Sequence, residues 1–440
     1  MRNRRLTGAV AGACVAALLA GAGSVAATTP PGTAAPGGGE GWKVNTDDCV
    51  DPDAANAKIE GEVKIGSIMP LSGGGPAILF APVKDGFASY IQYANDNKLL
   101  GDTKISVAIE DDQYKPELTP GALTKLLDAK VNLIAGVIGT PNNEAIRQTL
   151  NDNCIPQLNN LTGAPAWGDV AGFPWTTGGL VPYDVETKAY VGDIAKTFPN
   201  GAKVALYYVN TDFGKVYADT LKEVAADNKL EIVDEQTIEA GNNDPPTSQL
   251  TSIAPKKPDV IMAIPLGLGC GSFLKEVAAK KAADPSWTPR VYVTATCASP
   301  LLMANAGPAA DGMITSTNLF NVADPANAAD PGVKAYLDYM TSTGFQGDVT
   351  VATTGWAIGE LTVAILAQAA KSPEGLTRAS IMNAARNIRF HASVARPGAD
   401  YVTNGESDGV PAQSLVLQQF VVATGTFTDL GPLDTSNEAK

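Results

Sequence analysis

Histidine is nearly absent from this 440-residue chain, which has only His391. This scarcity argues against most zinc sites, Ser-His-Asp triads and histidine acid–base catalysis. The sequence also lacks CxxC pairs and GxSxG or Walker-type motifs, so neither a metal or redox site nor one of these catalytic motifs is indicated. These absences weaken an enzymatic function but do not eliminate it, because tyrosine, carboxylate and lysine chemistry remain. We expect no catalytic residue, no metal and no cofactor, and favour a chain that is not an enzyme.

Charged residues are scarce and positive charge is in deficit. Only 18% of the residues are charged, and 32 Lys and Arg stand against 46 Asp and Glu, for a formal net charge of −14. So acidic a chain is not expected to bind nucleic acid. Hydrophobic residues make up 45% of the chain, which is typical of a packed globular protein. Long hydrophobic runs are missing after the N-terminal segment, so no membrane-spanning helix is predicted.

The N-terminus has the pattern of an export signal. Arg2, Arg4 and Arg5 precede a nearly uncharged run over 7–23, and small residues at 25–27 form a cleavage pattern. We predict a signal peptide over 1–27 and an exported, extracytoplasmic protein, either periplasmic or at the cell surface. A lipid anchor on Cys14 is the competing interpretation. It is disfavoured because residues 11–13 lack the usual leucine.

The rest of the chain alternates continuous apolar strands with amphipathic helices. Strands are predicted over 63–69, 105–110, 131–138 and 155–158, then over 204–209, 232–238, 260–264 and 291–294, with a strand pair ending at 415–422. Helices are predicted over 82–95, 119–129, 213–228, 271–281, 354–370 and 377–385, and from near 142 and 247. This alternation indicates an α/β fold class with parallel sheets covered on both faces, and its two series indicate two similar lobes.

Four cysteines follow the predicted cleavage site, at positions 49, 154, 270 and 297. An even number in an exported protein indicates two disulfides, although four cysteines allow three pairings. Because loops after neighbouring parallel strands lie close together, we favour Cys270–Cys297. The loop of Cys154 is expected to reach Cys49 at the edge of the first lobe, which favours Cys49–Cys154.

Ligand contacts in open parallel sheets are expected beyond the carboxyl ends of the strands. Loops at such positions supply candidate ligand-binding residues: Phe80; Thr140, Asn142 and Asn143; Asn160, Thr162 and Gly163; Phe213, Leu266, Leu268 and Thr296. Each loop also has an ordinary structural interpretation as a turn, a helix cap or a solvated loop. The neighbouring acids Asp111 and Asp112 are interpreted as turn or capping residues rather than as a metal site.

Several segments resemble the type I periplasmic binding proteins, most closely the leucine/isoleucine/valine-binding family of ABC importers. They are VKIGSIMPLSGGGPAILF, IEDDQYKPE, LIAGVIGTPNNEAI, IPQLNNLTGAPA, VALYYVNTDFGK and DGMITS, and the similarity runs from 63 to 420. The resemblance implies two doubly wound parallel-sheet lobes joined by a three-crossover hinge near 178–181, 315–318 and 391–401. Lobe 1 would comprise 58–180 plus 318–392, and lobe 2 181–317 plus 393–440, after a flexible tether and N-terminal extension over 28–57.

The resemblance further implies a substrate-binding protein that captures a small solute in the cleft between the lobes and delivers it to an ABC transporter permease. We expect a monomer. In this family, Phe80 and Phe213 fall on aromatic ligand-contact positions, which are tyrosines in its amino-acid binders. Residues 140–143 and 160–163 fall on loops that bind the ligand carboxylate. A ligand-binding protein of an extracellular sensing system is the alternative, and a secreted α/β enzyme is less favoured.

One departure from the family bears on the solute. Amino-acid binders carry a glutamate for the ligand ammonium where Thr296 falls here, and a buried ammonium without a counter-charge is costly. We therefore expect a polar or anionic head on an apolar or aromatic body: an amino acid, an aromatic or apolar carboxylate, or an amide. Asp212 or Glu144 could supply the missing charge, which leaves a branched-chain amino acid open.

Overall fold

The computed structural model describes residues 35–36, 41–73, 75–405 and 407–436. The predicted signal peptide over 1–27 and the alternative anchor Cys14 lie outside these ranges. The strands are β1 Ala35–Pro36, β2 Glu62–Met69, β3 Lys104–Asp111, β4 Leu133–Ala135, β5 Gln157–Asn160, β6 Thr176–Gly178, β7 Ala202–Val209, β8 Leu230–Ile238, β9 Val260–Ile264, β10 Arg290–Val293, β11 Ile314–Thr317, β12 Ile388–Phe390, β13 Tyr401–Val402, β14 Val416–Val421 and β15 Thr426–Asp429.

The helices lie between these strands in the order that an α/β chain requires. They are α1 Pro52–Asn56, α2 Gly75–Asp96, α3 Thr119–Asp128, α4 Thr140–Asp152, α5 Tyr183–Thr197, α6 Asp212–Ala225, α7 Thr247–Ile253, α8 Gly269–Ala283, α9 Pro300–Ala306, α10 Pro331–Ser342, α11 Val349–Ala369 and α12 Arg378–Ala385. The predicted α/β fold class is confirmed.

Two large sheets organise the described part of the chain. The first has the order β3-β2-β4-β5-β6, and all of its strand pairs are parallel. The second has the order β15-β14-β11-β10-β9-β7-β8, parallel from β11 to β8 and antiparallel over β14 and β15. A small antiparallel sheet, β1-β12-β13, lies apart from both.

Each large sheet has its own hydrophobic core. One face of the first sheet packs against α2 and α11, and its other face packs against α3 and α4. The second sheet packs against α5, α6 and α8. Tyr401 and Ala412 belong to the first core, whereas Phe420 and Phe427 belong to the second. The lobe boundaries given by the resemblance stay a prediction.

Helix α11 is the apolar centre of the first core. It has 21 residues with a mean hydropathy of 1.5, long and apolar enough to cross a membrane, but 78% of its most apolar window is buried within the protein. Glycines let it touch α2 directly: a Cβ at Gly86 would lie 1.9 Å from the Ala352 carbonyl oxygen, and one at Gly355 would lie 1.9 Å from the Val83 carbonyl oxygen. We call this contact the glycine seam. It makes α2 and α11 one packed unit.

The structure contains both of the favoured disulfides. Cys49 and Cys154 are bonded with Cα atoms 5.5 Å apart, and Cys270 and Cys297 with Cα atoms 5.8 Å apart. The first disulfide ties the segment before α1 to the end of α4. The second joins the start of α8 to the turn after β10. These two segments lie close together because they follow the neighbouring parallel strands β9 and β10.

Two helices differ from the sequence prediction. Helix α2 begins at Gly75, seven residues before the predicted start, and Pro82 lies inside it rather than in its first turn. The prediction was wrong because proline usually marks the beginning of a helix. Helix α5, over Tyr183–Thr197, was not predicted at all, although its buried residues recur with helical spacing at 183, 186, 187, 190, 191 and 194.

Candidate functional site

A cavity of about 200 Å³ opens where the carboxyl ends of the two sheets' parallel strands meet. Residues that follow strands of the first sheet line one side: Phe80, Val83, Tyr114, Ile138, Gly139 and Leu161. Residues that follow strands of the second sheet line the other: Phe213, Tyr217, Leu266, Ala295, Thr296, Ala298 and Ser299. The cavity is therefore built by loops and helix starts, as parallel sheets dictate.

The segments that connect the sheets complete the lining. They contribute Gly179, Leu180 and Val181 before α5, Tyr183 and Glu186 in its first turn, residues 316–321 from the last two residues of β11 onward, and Tyr401. The first turns of α11 add Thr350, Val351, Thr354 and Ile358, and the last strands add Gln418 and Phe427.

Aromatic rings form two groups on the cavity wall. Phe80 stacks on Tyr114, with ring centroids 6.0 Å apart and planes 8° from parallel. Opposite the first sheet's loops, Tyr183 stacks on Tyr217 at 4.8 Å and meets the edge of Phe213 at 5.2 Å. Such offset and edge-to-face contacts hold the rings in fixed positions, so the apolar walls are pre-formed.

Four of the predicted site residues line this cavity: Phe80, Phe213, Leu266 and Thr296. Their common feature is a position directly after a strand or in the first turns of the following helix. Leu268 lies in the same loop as Leu266 but packs against the second core instead. The acids considered as counter-charges, Asp212 and Glu144, are not among the lining residues, and Asp212 pairs with Lys215 at 3.8 Å.

Three further predicted residues come together just behind the cavity wall. The hydroxyls of Thr140 and Thr162 are 2.7 Å apart and buried, and Gly163 accepts a hydrogen bond from the Tyr183 backbone N–H at 2.7 Å. Burial raises the pKa of Tyr183 to about 12, and hydrogen bonds with the Gly163 backbone and with Thr162 and Thr140 oppose that rise. The phenol of Tyr183 thus covers this cluster, and Tyr183 rather than the threonines faces the cavity.

Asn142, Asn143 and Asn160 do not line the cavity. Asn142 donates to Asp112 at 2.8 Å, and Asn143 donates to the carbonyl oxygens of Val137 and Gly139, each at 2.8 Å. These bonds turn both side chains inward, where they brace the turn before α4. Asn160, in β5, is fully buried.

The charge that borders the cavity is of one sign, negative. Among the described residues that line it, Glu186 is the single charged side chain, and no Lys, Arg or His is present. Three other lining residues have buried polar atoms without a hydrogen-bond partner in the described protein: Thr296 Oγ1, Asn321 Nδ2 and Gln418 Oε1. Unpaired buried polar atoms are costly and rare, so these positions on the cavity wall are suited to a polar group of a ligand.

The sequence reasoning missed Tyr183, Glu186 and Tyr217. All three lie on helices, at positions that a strand-end rule does not reach. The helical spacing in 183–194 was the available signal. No sequence signal indicated Gln418, because its approach to the cavity depends on how β14 pairs within the second sheet.

The chain matches the family model described as "Periplasmic binding protein" over residues 62–426. No match is found among curated proteins. The solved structures include a branched-chain amino acid ABC transporter protein from Thermus thermophilus with bound valine, which has 20% identity, a TM-score of 0.74 and coverage of 86% of this chain and 97% of that one.

Two further solved structures are similar. A solute-binding protein from R. palustris in complex with benzoate has 21% identity and a TM-score of 0.69, covering 85% of this chain and 98% of that one. A fatty acid ABC transporter substrate-binding protein from Thermomonospora curvata has 18% identity and a TM-score of 0.71, covering 86% and 94%. At these identities the likeness establishes the fold.

The family match covers most of the chain and agrees with a cavity at the meeting point of two parallel sheets. Proteins of this family bind solutes rather than transform them, and they act outside the cytoplasm. The chain belongs to the periplasmic binding protein family and has the type I fold of its leucine/isoleucine/valine-binding members.

Proposed function

We propose that this protein is the extracytoplasmic substrate-binding protein of an ABC importer, and that it holds a small solute with a polar head and an apolar or aromatic body. The observation that carries the proposal is the cavity itself, in which fixed aromatic walls lie beside buried polar atoms that have no hydrogen-bond partner among the described residues. Aromatic walls favour an apolar body. The unpaired atoms of Thr296, Asn321 and Gln418 favour a head that exchanges hydrogen bonds.

The size of the cavity supports a solute of amino-acid scale. About 200 Å³ of interior space accommodates a branched or aromatic body with one small polar group. Because the described lining has no cationic side chain, an anionic head would have only uncharged donors to bind it. The same lining contains the carboxylate of Glu186, which would repel an anion. A solute with an uncharged polar head is therefore favoured over one with an anionic head.

Titration calorimetry tests the proposal. We expect leucine, benzamide or benzoate to bind with one-to-one stoichiometry, because each fits the aromatic walls. Phe213→Leu is expected to weaken binding about tenfold, since it removes ring contacts with Tyr183 beside the ligand. The matched control is Phe273→Leu, which alters a ring stacked on Tyr207 in the same core but away from the cavity.

The control is expected to lower the unfolding temperature and to leave the affinity unchanged. Equal losses of affinity in both variants would contradict a binding role for this cavity. Absence of binding by all three compounds, with no rise of the unfolding temperature, would contradict the proposed solute class.

A further inference from the structure

Glu186 is a buried carboxylate at the wall of the cavity. It lies in the first turn of α5 and is only 2% exposed. Its Oε1 accepts hydrogen bonds from the backbone N–H of Ala295, at 2.8 Å, and from the Tyr190 hydroxyl. Its Oε2 accepts one from the Tyr217 hydroxyl at 2.6 Å. The carboxylate is thus held rigidly beside the residue that precedes Thr296.

All of these partners are uncharged. The titratable groups that face Glu186 are the phenols of Tyr183, Tyr190 and Tyr217, and Glu186 forms no ion pair with a Lys, Arg or His of the described chain. Burial raises the pKa of the Glu186 carboxyl, and its hydrogen bonds only oppose that rise. A buried carboxylate without a cation carries a large desolvation penalty.

Another buried acid of the second sheet is treated differently. Asp234 has a side chain that is 6% exposed, and Lys256 pairs with it at 3.1 Å. Glu360, which is also 2% exposed, is held by the N–H and hydroxyl of Ser393 and by no cation of the described chain, so a missing cation does not by itself mark a ligand site. What distinguishes Glu186 from Glu360 is its position on the cavity wall. Beyond its hydrogen-bond partners, Glu186 borders the cavity.

The hydrogen bonds of Glu186 also leave acceptor capacity. The Tyr190 hydroxyl lies against both Glu186 Oε1 and the Val293 carbonyl oxygen, the latter at 2.9 Å, and has one proton for two acceptors. The Tyr217 hydroxyl also lies 2.9 Å from Thr294 Oγ1, and either hydroxyl can donate in that pair. Gln418 Oε1 is a second acceptor on the cavity wall, and no group in the described part of the chain donates to it. Both acceptors call for a donor, and an ammonium group has three.

We propose that Glu186 is the anionic partner of a positively charged group on the solute, so that the protein selects an amine or another cationic head on an apolar body. This inference rests on the proposed function, because it names the head of the solute held in that cavity. Bound cation and carboxylate neutralise each other in a site that is shielded from water. A neutral head of the same shape can only donate a hydrogen bond to Glu186, and an anionic head is repelled by it, so both gain less than a cation does.

The test compares compounds that share a body and differ in the charge of the head. Calorimetry is performed with 3-methylbutylamine, 3-methylbutanol and 3-methylbutanoate, and with benzylamine, benzyl alcohol and benzoate. In the unaltered protein we expect at least one amine to bind at least about tenfold more tightly than its alcohol and its carboxylate. In Glu186→Gln, which keeps the side-chain shape, we expect this ratio to fall within about threefold.

A pH profile separates charge from a merely structural role. Burial raises the pKa of the Glu186 carboxyl, so its ionisation is shifted to higher pH than that of an ordinary carboxyl, and its ionised fraction increases as the pH is raised. The profile is measured from about pH 5 to about pH 8. We therefore expect the affinity for the amine to rise with pH in the unaltered protein and to stay flat in Glu186→Gln. The facing tyrosines have pKa values raised above their ordinary value and do not titrate in this window.

Glu360→Gln is the matched control, since Glu360 is also 2% exposed but does not line the cavity. It is expected to keep the preference for amines. If the alcohols or carboxylates bind as tightly as the amines, or if Glu186→Gln keeps the preference and its pH profile while folded by circular dichroism, the inference is overturned and the proposed function stands. If no compound of either series binds but leucine or benzamide does, the inference is overturned and the proposed function stands. If none of these compounds binds, both fail.

Discussion

Replacing Cys49 and Cys154 together by serine is expected to lower the free energy of unfolding by about 4.8 kcal/mol, the largest loss from a single contact that we predict. The two cysteines are 105 residues apart in the chain, and a cross-link over so long a loop removes much entropy from the unfolded state. The bond also fastens the segment before α1 to the end of α4. Urea unfolding of the oxidised protein and of the double variant measures the difference.

The second disulfide provides the comparison. Cys270 and Cys297 are separated by 27 residues, so their replacement by serine is expected to cost about 3.6 kcal/mol. Because Cys297 directly follows Thr296, this variant should also weaken solute binding, whereas the Cys49–Cys154 variant should not. A larger stability loss from the shorter loop would show that chain entropy does not determine the order.

Glu360 is expected to make the protein less stable as the pH rises towards neutrality. Its carboxyl group is buried in α11 and accepts hydrogen bonds from the backbone N–H of Ser393 at 2.7 Å and from its hydroxyl at 2.5 Å. Burial raises the pKa of Glu360 from 4.5 to about 7, and the phenols of Tyr90, Tyr93 and Tyr401 are the titratable groups that feel its charge.

The sign follows from proton uptake. Between the two pKa values the folded state holds a proton that the unfolded state has released, so the free energy of unfolding falls as the pH rises through this window. The total fall attributable to Glu360 is roughly 3 kcal/mol, complete above the folded-state value. Glu360→Gln has no carboxyl group to titrate at this position. Its free energy of unfolding should therefore fall by roughly 3 kcal/mol less than that of the unaltered protein over the same pH range.

Urea unfolding at several pH values between about 5 and about 8 checks this expectation. Glu223→Gln makes the same chemical change at an exposed position of α6 and should follow the unaltered protein. Parallel pH profiles for Glu360→Gln and the unaltered protein would contradict the assignment. Other ionisable groups contribute equally to all three proteins, so the difference between profiles isolates Glu360.

Much of the fold is readable in the sequence because parallel strands are continuous apolar runs. The segments 204–209 and 260–264 are predicted within two residues of β7 and β9. The rule that loops after neighbouring strands converge also predicts the bond between Cys270 and Cys297 and brings Phe213 to the cavity. These successes share one cause: each depends on local pattern and on strand order alone.

The missed features depend on side-chain direction and on long-range packing. Asn142 and Asn143 lie at the predicted loop, but the first turn of α4 points them at the sheet, where backbone carbonyls and Asp112 bind them. Glu186 reaches the cavity from a helix because α5 crosses against β10, which brings the Ala295 N–H to its carboxylate. Neither direction can be derived from strand order.

The glycine seam has a consequence for how binding sites of this fold can diversify. Phe80 and Val83 on α2 and Thr350 and Val351 on α11 form part of the cavity wall, while backbone contact at Gly86 and Gly355 fixes how far apart the two helix axes lie. Side chains on the wall can therefore be exchanged without moving the scaffold behind them. We expect substitutions of the wall side chains to be tolerated and substitutions of Gly86 and Gly355 to disrupt the packing of α2 against α11. The solute preference can therefore change while the fold is kept.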